Sequence, residues 1–192
     1  MELKQIASFA VDHTKLVEGM YTSRVDGDVT TYDIRMVKPN CGTYLPYPAI
    51  HSFEHLFATY VRSSELSDQV IYVGPMGCRT GFYFLVRNME PEVAIKLVND
   101  MLAFIASFEG DVPGATEKEC GNFREQDLEG AKAIARKMIP ILKSWTPADC
   151  AYEKYPTFDM LRSQRARFSS AEPGFDRSFP RISSAPCPFF ID

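Results

Sequence analysis

Met20-Tyr21-Thr22-Ser23-Arg24-Val25-Asp26-Gly27-Asp28-Val29-Thr30-Thr31-Tyr32-Asp33-Ile34-Arg35-Met36-Val37 is the stretch that decides the fold. Residues 29–37 are rich in β-branched and aromatic side chains, which suit a pleated, half-buried surface. Asp26-Gly27 before them is a strong turn signal, so residues 20–25 are expected to fold back as the first arm of a hairpin. A hairpin commits the sheet to antiparallel pairing.

Working outward, Pro39, Pro46 and Pro48 mark an irregular loop, and a helix is expected from just after Pro48, through His51, to about Arg62. Val70-Ile71-Tyr72-Val73 and Gly81-Phe82-Tyr83-Phe84-Leu85-Val86-Arg87 read as two more strands around the turn Gly74-Pro75-Met76-Gly77. The clearest helix opens at Pro91 and closes before Gly110, with Ala94, Leu97, Val98, Met101, Leu102, Ile105 and Phe108 on one face. A third helix starts near Asp127, a suitable N-cap, and Pro140 is expected to kink it or end it near Ile139. The order of elements predicts an α+β domain, a mostly antiparallel sheet with helices packed on one face. Residues 1–145 are expected to form this domain. Beyond Trp145, six prolines break up any periodicity, and residues 146–192 read as an irregular or poorly ordered extension.

Composition narrows the function. The chain has 192 residues, 45% hydrophobic and 24% charged, enough for one domain with a real core. A net charge of −4 leaves no basic surplus for a phosphate backbone, so nucleic acid is not the expected partner. No apolar run approaches bilayer length, and the N-terminus lacks the long apolar stretch of a secretory signal. Five scattered cysteines suggest reduced thiols, and a cytoplasmic protein is expected.

Only three histidines are present, and two of them fall in His51-Ser52-Phe53-Glu54-His55. At roughly 100° per residue, His51 and His55 stand one helical turn apart on the same face, with Glu54 beside them. Such imidazoles can reach one metal ion, leaving the carboxylate to move protons. The same H-x-x-E-H pattern occurs in inverted zinc peptidases, and it also occurs on solvated helices that bind nothing. Cys120, in a loop ahead of the third helix, can supply a third ligand, and three ligands leave a position open for chemistry. Cys78, in Pro75-Met76-Gly77-Cys78-Arg79-Thr80-Gly81, is open to two readings. It can be a thiolate base, favoured by the metal or by Arg79, or the fourth ligand of a closed structural zinc site.

Several segments in register resemble the LuxS, or S-ribosylhomocysteine lyase, family. They are Ser8-Phe9-Ala10-Val11-Asp12-His13-Thr14, Tyr32-Asp33-Ile34-Arg35 with Pro39-Asn40, Ile50 to Leu56, Pro75 to Tyr83, and Cys120-Gly121. Together they span about residues 6 to 144. The resemblance implies a LuxS-like metallohydrolase fold and a homodimer with active sites at the subunit interface. It implies one divalent metal per subunit, natively iron(II) with zinc or cobalt as substitutes, held by His51, His55 and Cys120. Glu54 and Cys78 would be the acid/base pair, and Ser8, His13 and Arg35 would contact substrate. The implied reaction splits S-ribosylhomocysteine into homocysteine and 4,5-dihydroxy-2,3-pentanedione, the autoinducer-2 precursor, in the activated methyl cycle and quorum sensing.

The alternatives are an inverted-motif zinc peptidase, and a non-catalytic protein with a closed His-His-Cys-Cys zinc site. Two departures from the family pattern stand out. The family writes an acidic residue and a serine ahead of P-M-G-C, where this chain has Tyr72 and Gly74. Pro140 and the long extension are also unlike the usual family end.

Overall fold

The computed structural model describes residue 9 and residues 11–152. Strands β1 (Gly19–Asp26), β2 (Val29–Arg35), β3 (Val70–Pro75) and β4 (Gly81–Arg87) form one sheet in the order β1-β2-β4-β3, every pair antiparallel. The expected hairpin is β1–β2, closed by the left-handed Gly27. Sheet and helices together make the predicted α+β architecture.

Strand β2 stops at Arg35, two residues sooner than its apolar pattern suggests. The amides of Met36 and Val37 both donate to Thr80 O, at 2.8 and 3.3 Å, which leaves the ladder and ties β2 to the turn before β4. Strand β3 runs on through Gly74 and Pro75, so the turn is Met76–Arg79, closed by Arg79 N–H donating to Met76 O at 2.8 Å. Pro75 is tolerated because β3 is an edge strand.

Three helices follow: α1 (Tyr47–Arg62), α2 (Pro91–Ser107) and α3 (Leu128–Leu142). Helix α1 starts a residue ahead of Pro48, which takes an early position where its missing N–H costs nothing. Asp127 caps α3 as expected, its Oδ1 accepting from Gly130 N at 2.8 Å. Pro140 neither ends nor breaks α3, which continues to Leu142. The carbonyl that Pro140 leaves without a donor belongs to Arg136. Both residues are exposed, so Pro140 sits on the outer side of the helix.

Side-chain alternation divides the sheet's two faces. Tyr32, Ile34, Phe82, Phe84 and Val86 face the helices and meet Phe53 and Phe57 of α1, with ring centroids 5.0 Å apart for Phe53–Phe82 and 5.4 Å for Phe57–Phe84. Tyr21, Asp33, Arg35 and Tyr83 fall on the other face. Register puts Asp33 opposite both Tyr21 and Tyr83. Asp33 and Arg35 are nevertheless only 2% and 3% exposed, so this second face is covered and its charges must be paired.

Beyond α3 the chain returns to the sheet. Trp145 Nε1 donates to Met20 O at 2.7 Å, a short 3-10 turn (Pro147–Cys150) buries Cys150, and Tyr152 stacks on Tyr21. The rest of the extension, 153–192, lies outside the described residues.

Candidate metal centre and thiol cleft

The i, i+4 spacing on α1 brings His51 and His55 together, their ring centroids 4.7 Å apart and nearly perpendicular. The loop ahead of α3 delivers Cys120, whose Sγ lies 3.3 Å from His51 Nε2. One ligand atom from each of the three falls within 4.8 Å of the others. His51 Nδ1 faces Glu125 O at 2.8 Å, and His55 Nδ1 faces Pro113 O at 2.7 Å. A carbonyl only accepts, so each Nδ1 facing one is the donor and leaves Nε2 for an ion, although at His51 the Gln126 amide nitrogen also lies 3.2 Å from Nδ1 and 3.4 Å from Nε2. Gly114 lets that loop approach, since a Cβ there would sit 3.3 Å from His55 Nδ1 and its φ is +71°. Cys120 Sγ accepts from Asn122 N–H at 3.5 Å. Two imidazoles oriented by backbone carbonyls and a cysteine sulfur beside them fit a divalent metal.

Glu54 sits half-buried between the two histidines. Burial raises its carboxyl above the usual carboxylate value, against the opposing pull of His51 and His55. A carboxyl so placed is a weaker acid than a solvated glutamate and stands within reach of both imidazoles.

Cys78 does not join the trio. It is exposed in the Met76–Arg79 turn and lines a cleft of about 700 Å³ with His13, Arg35, Tyr44, Tyr47 and Tyr83. Among the described residues, then, the metal group has three members, which disfavours the closed four-ligand site. The cleft holds His13, whose Nδ1 faces Val11 O at 2.9 Å. Ser8 lies outside the described residues. The cation near the thiol is Arg35, its Nη1 3.9 Å from Cys78 Sγ. Arg79, which the sequence offered as one candidate for that place, takes a left-handed conformation (φ 57°) and stacks its guanidinium over Tyr47 and Tyr44, 4.7 and 5.4 Å from the ring centroids. Metal trio and cleft are neighbours: Tyr47 lines the cleft and stands one turn before His51, ~6 Å along the helix axis.

The family model for S-ribosylhomocysteinase (LuxS) matches residues 6–148. This chain belongs to the LuxS family. Among curated relatives, an S-ribosylhomocysteine lyase of Phocaeicola vulgatus is 43% identical over 161 residues, covering 81% of this chain and 99% of the relative. One of Clostridium beijerinckii is 40% identical over 157 residues (78% and 99%), and one of Desulfotalea psychrophila is 44% identical over 141 (70% and 89%). These relatives carry the name of a lyase, so "metallohydrolase" describes the fold only loosely.

For a LuxS chain, the Tyr72 and Gly74 departures turn out to be one change. A Cβ at position 74 would run into the hydroxyl and ring of Tyr72, which folds back over the glycine on the same side of β3. Sequence reasoning missed four contributors. The carbonyls of Pro113 and Glu125 orient the imidazoles, and Thr80 and Asp33 hold Arg35 in place. Thr80 and Asp33 stood inside quoted motifs, but nothing in the sequence distinguishes one backbone carbonyl from another.

Proposed function

We propose that this enzyme is an S-ribosylhomocysteine lyase acting on S-ribosylhomocysteine itself. The observation that carries the reading is the trio His51, His55 and Cys120, with each imidazole turned by a backbone carbonyl at its Nδ1 atom. His51, His55 and Cys120 would hold one divalent ion, iron(II) in the cell with zinc or cobalt as substitutes. Bound there, the ion supplies Lewis acidity toward sugar oxygens on which negative charge develops.

The protein's own groups do the rest. A thioether carbon–sulfur bond resists direct cleavage, so a carbonyl must first move along the sugar from C1 to C2 to C3. A ketone at C3 acidifies the proton on C4, and loss of that proton expels homocysteine from C5 without water being consumed. Cys78, as thiolate, takes and returns the carbon-bound protons. Glu54, its carboxyl raised by burial, moves protons among the oxygens and protonates the leaving sulfur. His13 and Arg35 line the cleft and would hold the substrate, with Ser8 as a third contact. Arg35 donates from Nη1 to Thr80 and from Nη2 to Asp33, and each terminal nitrogen keeps a second N–H, while its buried Nε has no partner among the described residues.

We further propose a cytoplasmic homodimer whose active sites lie at the subunit interface, with residues 1–145 as the catalytic domain and 146–192 appended. Exposed Phe9, Tyr44 and Tyr47 around the cleft supply an apolar rim for such a contact. Among the described residues, no helix is long and apolar enough to cross a membrane. The decisive experiment incubates the iron(II)- or cobalt-loaded protein with S-ribosylhomocysteine and follows free thiol. Thiol release dependent on the metal is expected. Cleavage of peptides without thiol release would overturn the reading in favour of a peptidase.

A further inference from the structure

The second face of the sheet holds a chain of hydrogen bonds that ends on the Cys78 sulfur. Tyr152 Oη donates to Asp33 Oδ2 at 2.7 Å, and the same oxygen accepts from Arg35 Nη2 at 3.0 Å. The other terminal nitrogen, Arg35 Nη1, donates to Thr80 Oγ1 at 2.8 Å. Thr80 Oγ1 in turn lies 3.0 Å from Cys78 Sγ. A guanidinium only donates, so the Thr80 oxygen accepts from Arg35 and keeps its own O–H. That proton has two sulfurs in reach, Cys78 Sγ at 3.0 Å and Met76 Sδ at 3.8 Å, and the nearer is the thiol. When that sulfur is a thiolate, which only accepts, the network therefore presents it with a hydroxyl donor backed by a cation.

We propose that Tyr152 is a positioning residue for Cys78, fixing Asp33 so that Arg35 and Thr80 aim their donors at the thiolate. This rests on the reading of Cys78 as the proton-moving thiol. Tyr152 lies beyond the 6–148 segment that the family model matches, at the start of the extension. Its ring stacks on Tyr21, centroids 5.0 Å apart and 13° from parallel, so the phenol is held in place independently of the hydrogen bond. Burial first, and the Asp33 charge second, keep that phenol protonated well above its ordinary value, which preserves it as a donor. Asp33 needs it: among the described residues its Oδ1 has no partner, so Oδ2 carries the carboxylate's contacts with Tyr152 and Arg35.

The test uses the metal-loaded full chain carrying Tyr152→Phe, which keeps the stack on Tyr21 and removes only the hydroxyl. Two readouts are taken: the iodoacetamide alkylation rate at Cys78, followed by mass of its peptide, and kcat and KM for thiol release. At pH 7 alkylation should slow by roughly threefold or more, the scale of one weakened hydrogen bond. The kcat should fall in step, with KM and metal content unchanged. At pH 10, where thiols ionise without help, the alkylation rates should converge. Thr80→Val should behave likewise and Thr80→Ser should restore the rate. Equal rates for Tyr152→Phe and the unaltered protein at pH 7 overturn the proposal. So does an equal slowing at both pH values, which would mark a change of access. Absence of thiol release from the unaltered protein, with the alkylation pattern intact, would sink the lyase reading and leave the relay standing.

Discussion

The phenol ring of Tyr72 occupies the space that any side chain at Gly74 would need. The two residues sit two apart on edge strand β3 and so share a face, just upstream of the turn that presents Cys78. The carboxylate and hydroxyl written by the family are thus replaced as a unit. A serine at 74 must displace the Tyr72 ring.

That coupling is measurable. Gly74→Ser alone should cost on the order of 1–3 kcal/mol through forced displacement of the ring. In a Tyr72→Asp background the same change should cost at least about 1 kcal/mol less, as for residues in contact. A double-mutant cycle on urea midpoints checks this, and additive costs would mean that the ring does not cover the glycine.

Metal and activity should part company at the two site cysteines. Cys120→Ala removes a ligand, so metal and turnover should vanish together. Cys78→Ala should keep one metal per chain by elemental analysis while turnover falls about 10²–10⁴-fold, the usual contribution of a proton-transfer group. Metal loss in Cys78→Ala would restore the closed four-ligand site.

Asp33→Asn should be severe despite its small change in shape. Arg35 is buried, and the variant leaves its charge with no carboxylate partner 3.0 Å away. The expected loss is about 3–5 kcal/mol, read from the shift in denaturant midpoint. A loss below about 1 kcal/mol would show the pair to be solvated, as exposed ion pairs are.

Stability should fall in alkali through Cys150. Burial raises its thiol from the ordinary 9.0 to about 11. The folded chain therefore holds a proton that the unfolded chain releases between those values. The stabilisation is complete below pH 9 and declines by about 2–3 kcal/mol as pH rises through 11. Thermal melts of Cys150→Val, which has no proton to hold, should show a shallower decline over that window.

By itself the sequence determined what depends on neighbours along the chain. Alternation fixes which residues of β2 and β4 face the helices, the Asp26-Gly27 turn sets antiparallel pairing, and a spacing of four on a helix brings His51 to His55. Each follows from backbone geometry repeated over a few residues. Tertiary structure alone decided which distant groups meet. It tied the imidazoles to the carbonyls of Pro113 and Glu125, turned Arg79 away onto tyrosines, and set Arg35 beside the thiol. It also carried α3 past the exposed Pro140 and laid Tyr152 on Asp33. Every residue carries the same backbone carbonyl, and partners are chosen by which buried groups must be satisfied together, so no local pattern encodes these pairings.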